Sequence, residues 1–74
     1  MRRFLMRRRL RGRTVVVQAR DGLAYRGKYV GRDPDGVLLV DASVLDESSR
    51  QPDWLPMDGE VLVAAGDVRH VQVP

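Results

Sequence analysis

The sequence predicts an all-β domain, a small five-stranded and strongly bent barrel preceded by a short N-terminal α-helix. Three observations carry that prediction. From Thr14 onward β-branched residues are dense, Val61 with Val63 and Val71 with Val73 recur at a period of two, and turn signals recur at spacings too short for helices. A few short strands left as an open sheet would expose long edges, which closure into a barrel removes.

Residues 1–12 read as a basic helix or arm, since arginine, leucine and methionine are good helix formers and Gly12 would stop them. Met1, Phe4, Leu5 and Arg8 would share one face, so the amphipathicity is weak and a helix this short requires docking to persist. The barrel domain takes residues 13–74. Its first strand spans 14–20, with Val15, Val17 and Ala19 on one face, and Asp21-Gly22 is expected to supply the two positive-φ positions of a tight hairpin turn. The second runs from Leu23 to about Gly31, and Gly27 within it marks a bend or a close backbone approach. Asp33-Pro34-Asp35-Gly36 is a strong turn, leading to a third strand from Val37 to about Val44. Residues 45–58, with two prolines and Trp54, form a long loop with at most a short extension of the strands at each end. Val61 and Val63 alternate in a fourth strand that starts near Gly59, Gly66-Asp67 interrupts it, and residues 68–73 make the fifth.

Length sets the next constraint. A chain of 74 residues is a single domain, and one of this size buries only about 60% of its unfolded surface, which leaves a marginal core. Disulfides and a structural metal are the common remedies. With no cysteine and His70 as the one histidine, neither a disulfide framework nor a Cys/His zinc site can be assembled. Association with other copies remains. No apolar run reaches the roughly 18 residues of a membrane span, and no apolar stretch follows the basic opening as a signal peptide requires. The expectation is a soluble protein, cytoplasmic or otherwise intracellular, or part of a viral particle, with no membrane partner and no cofactor.

The net charge of +3 conceals a division. Residues 1–13 carry seven arginines and no acid, whereas the other 61 carry six basic and ten acidic side chains, a net −4. A cationic arm is thus joined to an acidic body. Such an arm can bind nucleic acid through phosphates, bind anionic lipid, or lie on an acidic protein surface, including that of a neighbouring copy. The candidate nucleic-acid contacts are Arg2, Arg3, Arg7, Arg8, Arg9 and Arg11.

The order of motifs between Leu10 and Val73 resembles the Sm-like (LSm and Hfq) superfamily. Val15 and Val17, Asp21-Gly22, and Tyr25 two residues before Gly27 follow that family's opening pattern. Asp33, then Val37-Leu38-Leu39-Val40 and Asp41-Ala42, continue it, and Gly59, Val61, Val63, Gly66 and Val68 fit its second motif. The resemblance implies a homo-oligomeric ring, a hexamer or heptamer in the family, in which the fourth strand of one subunit pairs with the fifth of the next. Unpaired edges and a marginal core would both be completed by that association.

The resemblance also locates a pocket in which RNA-binding members hold uracil. Its asparagine position falls here on Gly36 or Val37, its arginine-glycine pair on Ala64-Ala65, and its stacking position on Asp35. Together with Asp33 these residues are the candidate loop contacts. None has a side chain suited to the task, and an arginine lost from such a site removes a charge-assisted bond of about 1.5–3 kcal/mol. The expectation is an absent uridine pocket.

Two functions follow. In the first, the ring binds RNA or DNA through its arginine arm, without reading sequence. In the second, it is a structural or adaptor ring inside a larger assembly, such as a viral particle or connector. Catalysis is not expected, because His70 has no nucleophile arranged beside it. Asp33, Asp35 and Asp41 lack the spacing of a calcium loop, and turn chemistry accounts for them. Tyr25 and Tyr29 share a strand face, with Tyr25 the one assigned to the barrel interior and Tyr29 left open. Trp54, between Pro52 and Pro56, either caps the barrel or anchors a partner, and it is the candidate partner-binding residue.

Overall fold

The computed structural model describes residues 10–74. Expectations for residues 1–9, including the N-terminal helix and Arg2, Arg3, Arg7, Arg8 and Arg9, lie outside the described residues. Six strands follow in order: β1 Thr14–Ala19, β2 Leu23–Asp33, β3 Gly36–Asp46, β4 Leu55–Pro56, β5 Glu60–Ala64 and β6 Val68–Gln72. A 3₁₀ turn, Ala65–Asp67, joins the last two. The predicted fourth and fifth strands are therefore β5 and β6. The additional strand β4 lies inside the stretch read as a loop, and β3 reaches Asp46 instead of stopping near Val44. Pairing of Ser43 with Pro56 and Val44 with Leu55 explains both differences, because a partner two residues long stabilises the end of β3 without leaving a periodic signal of its own.

All pairings are antiparallel, in the order β4-β3-β2-β1-β6, with β5 also on β3. The long strand β3 is thus the organising element: it pairs with β2 along one edge and with β5 and then β4 along the other. The sheet curls on itself, since Val15 and Val17 of β1, Tyr29 of β2, Val37, Leu39 and Ala42 of β3, and Val61 and Val63 of β5 share one core. Val68 and Val71 of β6 pack against its side. Every one of these buried groups is apolar or aromatic, so the interior is held by area removed from water, at about 25 cal/mol per Å².

Two irregularities lie between β2 and β3, and a third lies between β1 and β6 at Gln18 and Ala19. Opposite the single residue Gly27, β3 carries two residues, Asp41 and Ala42, one more than its partner, and β2 carries Val30 as an extra residue between the pairs Tyr29–Leu39 and Gly31–Leu38. Asp41 takes the positive φ of 51° that a bulge demands. A side-chain parity read along β2 therefore does not hold across its bends. Tyr29, left open by the sequence, is buried at 3% exposure, whereas Tyr25, assigned to the interior, is half-buried and packs against the core from its side.

Gly27 is where β2 passes closest to the bulge. A Cβ there would stand 3.0 Å from the Cα and Cβ of Ala42 and 3.0 Å from the carbonyl oxygen of Val40. Gly27→Ala is expected to destabilise the domain by about 1–3 kcal/mol, the usual range for overpacking, read as a lower urea midpoint at unchanged slope.

Candidate nucleic-acid interface

Two turns meet at one end of the sheet. The turn between β2 and β3 is shaped by Asp33, whose Oδ1 accepts the N–H groups of Asp35 at 2.8 Å and Gly36 at 3.2 Å. This is the local side-chain bonding that aspartate offers in turns. The 3₁₀ turn between β5 and β6 is tied to it, since Ala65 N–H donates to the Asp35 carbonyl at 2.9 Å and Gly36 pairs with Ala64. Asp33, Asp35, Gly36, Val37, Ala64 and Ala65, separated by about 30 positions in the chain, are thereby brought together.

What they present is limited. Val37 is fully buried and Gly36 is buried, so neither offers a side chain to a ligand, and Val37 belongs to the core. Asp33 is engaged by its own turn. What remains is the exposed Asp35 carboxylate, the exposed methyl group of Ala64 and the half-buried one of Ala65. A carboxylate repels phosphate, and a methyl group neither donates to nor accepts from a base edge.

Cationic groups lie elsewhere. Arg11 is exposed just before the first strand, and a shallow depression beside the end of β1 is lined by Arg20, Val68 and Arg69. Sequence reading passed over Arg20 and Arg69 because they are 49 positions apart; the pairing of Ala19 with Val68 makes them neighbours. Near the same end, burial pushes the Tyr25 phenol above its ordinary value, with Asp21 and Asp67 adding to the rise. Among the described residues no group of three or more histidine, cysteine, aspartate or glutamate side chains is placed to hold a metal ion. No helix among them is long and apolar enough to cross a membrane.

Trp54 sits half-buried on the outside of the sheet, beneath the guanidinium of Arg26, whose central carbon lies 4.5 Å from the ring centroid. Its ring makes a cation–π contact there and is not one of the core residues. Beside it Leu55 is 61% exposed and Met57 37% exposed.

The backbone edges complete the inventory. Among the described residues β5 pairs only with β3, β6 pairs only with β1, and the two are not paired with each other. Each has one row of ladder groups without a strand partner.

No model of a known protein family matches the sequence, and no curated protein matches it. Solved structures do. One is the Sm protein of Pyrococcus abyssii in complex with a uridine heptamer, similar over 100% of both chains at a TM-score of 0.72 and 21% identity. Another is a chain of the NatC complex bound to CoA, covering 88% of this chain and 79% of that one at a TM-score of 0.67 and 18% identity. At such identities the likeness is one of fold. The all-β, strongly bent sheet described above is Sm-like.

Proposed function

We propose that this chain, having the Sm-like fold, is a subunit of a closed homo-oligomeric ring that binds nucleic acid, RNA in the first instance, through its arginine-rich arm. The observation that carries the reading is the pair of unpaired strand edges. β5 and β6 each end the sheet with exposed ladder groups, and joining β5 of one copy to β6 of the next satisfies both without a new element. The exposed apolar side chains of Leu62, 55% exposed, and Val73, 40% exposed, lie on or next to these strands and would be covered by the same association.

Arg2, Arg3, Arg7, Arg8, Arg9 and Arg11 of every copy would then gather on one assembly. Their contacts are to phosphate, so the affinity is expected to fall about a thousandfold or more between 50 and 200 mM salt, with little dependence on base sequence. The similar Sm protein bound to uridines supports RNA as the ligand to test first, although the end turns of this chain offer no side chain that reads uracil. Binding is the activity, with no catalysis and no cofactor, and an intracellular or virion setting suits it.

Native mass spectrometry with and without a labelled oligonucleotide tests both halves. The expected result is one ring stoichiometry that carries oligonucleotide at low salt and releases it at high salt. A monomer at working concentration overturns the ring, and a ring that binds no oligonucleotide at low salt overturns the nucleic-acid half. That last outcome would favour the second reading, a structural or adaptor ring seated in a larger particle, which is motivated by the degenerate end turns.

A further inference from the structure

The acidic charge of the body is not spread over it. Residues 46–60 hold five acids and one arginine, a net −4, while the rest of 14–74 holds five acids and five bases and is neutral. Within this segment the order is acid, apolar group, acid: Asp53, then Trp54-Leu55-Pro56-Met57, then Asp58 and Glu60. The arm carries the opposite charges in the same order: Arg2-Arg3, then Phe4-Leu5-Met6, then Arg7-Arg8-Arg9. Leu55 and Met57 stand exposed between the acids, and Asp53, Asp58 and Glu60 are exposed on either side of them. The surface also holds a guanidinium already, that of Arg26 over the Trp54 ring. Aromatic face, apolar strip and carboxylates together form a surface suited to an arginine-rich apolar peptide.

We propose that residues 2–9 of this protein dock on the surface formed by residues 53–60, and that the docked loop competes with nucleic acid for the arm's arginines. The docking stands on the two charge patterns and the exposed strip; the competition rests on the nucleic-acid reading above. Apolar contact supplies the part of the interaction that salt does not screen, and the carboxylates supply the part that phosphate would displace. The loop is then an internal brake. Only a polyanion that outweighs three carboxylates takes the arm, which raises selectivity for long phosphate backbones over short anions.

The absence of native cysteine makes the test direct. In the full chain, Leu5→Cys combined with Met57→Cys is expected to form a disulfide under mild oxidation about tenfold faster than Leu5→Cys combined with Asp67→Cys in the 3₁₀ turn. The triple change Asp53→Asn, Asp58→Asn and Glu60→Gln is expected to slow that cross-link, and in the cysteine-free protein to tighten oligonucleotide binding about tenfold. A control removing equal charge elsewhere, Asp41→Asn, Glu47→Gln and Asp67→Asn, is expected to shift binding less than about twofold. Circular dichroism checks that every variant is folded, and Asp58→Cys replaces Met57→Cys if the latter is not. Equal cross-linking to Asp67→Cys overturns the docking. A cross-link that forms while both triple variants bind oligonucleotide alike overturns the competition. Docking without any oligonucleotide binding by the unaltered protein overturns the nucleic-acid reading and leaves the docking standing.

Discussion

Gly36→Ala is expected to abolish stable folding, or to lower the unfolding free energy by about 3 kcal/mol or more. Gly36 opens β3 with a φ of +156°, and that inversion aims its α-hydrogen position at the neighbouring strand instead of out of the pleat. A Cβ there would fall inside the carbonyl of Val63, within 2.9 Å of the carbonyl carbon and 3.1 Å from the Cα of Ala64. Both obstacles are backbone, and β5 cannot retreat without giving up its pairing with β3 and the burial of Val61 and Val63. Small domains have a net stability in the lower part of the range of about 5–15 kcal/mol, so one such loss decides whether the chain folds. Gly31→Ala is the control. Nothing lies within 4 Å of a Cβ at Gly31, and the change is expected to be neutral or to stabilise by up to about 1 kcal/mol through a stiffer unfolded chain. Urea denaturation followed by circular dichroism compares the two; equal midpoints would remove the steric account of the turn.

The second large effect is on assembly. Proline at Leu62 is expected to leave the proposed ring as folded single subunits, whereas proline at Val63 unfolds the chain. The distinction comes from alternation of the antiparallel ladder. Ala65 N–H donates to the Asp35 carbonyl, and counting back in steps of two along the unbroken register assigns the Val63 and Val61 N–H groups to β3. The N–H groups of Leu62 and Ala64 then point to the free edge. Proline removes one donor and adds a ring at that donor's place. At Leu62 the missing donor is the one the proposed ring would give to the next subunit, and edge positions of that kind tolerate proline. At Val63 it removes a bond on which the core depends. Light scattering coupled to size exclusion gives the mass, and circular dichroism gives the fold. If Leu62→Pro keeps the mass of the unaltered assembly, subunits do not meet through β5.

The hairpin at Asp21-Gly22, the Asp33–Gly36 turn, the paired valines Val15–Val17 and Val61–Val63, and the special place of Gly27 were all legible in the sequence, although of the two hairpin residues assigned a positive φ only Gly22 takes one. Each depends on local chemistry: positive φ at glycine, side-chain capping by aspartate, and a period of two for a sheet with one buried face. The bulge at Asp41-Ala42 was not legible, and neither was which tyrosine would be interior. Burial of Tyr29 and partial exposure of Tyr25 follow from a bend that the pairing of β2 with β3 imposes. Strand β4 was missed for a similar reason, since Leu55-Pro56 has no propensity to announce it and is a strand only because Ser43 and Val44 are opposite.

The candidate site divides along the same line. That Asp35, Gly36, Ala64 and Ala65 lack base-reading groups, and that the positive charge is concentrated in the arm, are facts of composition and position. That Val37 is closed to ligands, that Arg20 and Arg69 adjoin, and that Trp54 lies under Arg26 with Leu55 and Met57 exposed beside it required three dimensions. Amino-acid order alone determined where this chain turns, which face of β1 and of β5 is apolar, and where its charges fall, because those properties act over a few residues. Only the tertiary structure decided which distant segments share a surface and which backbone edges go unpaired, because these depend on how β3 bends to meet three partners at once.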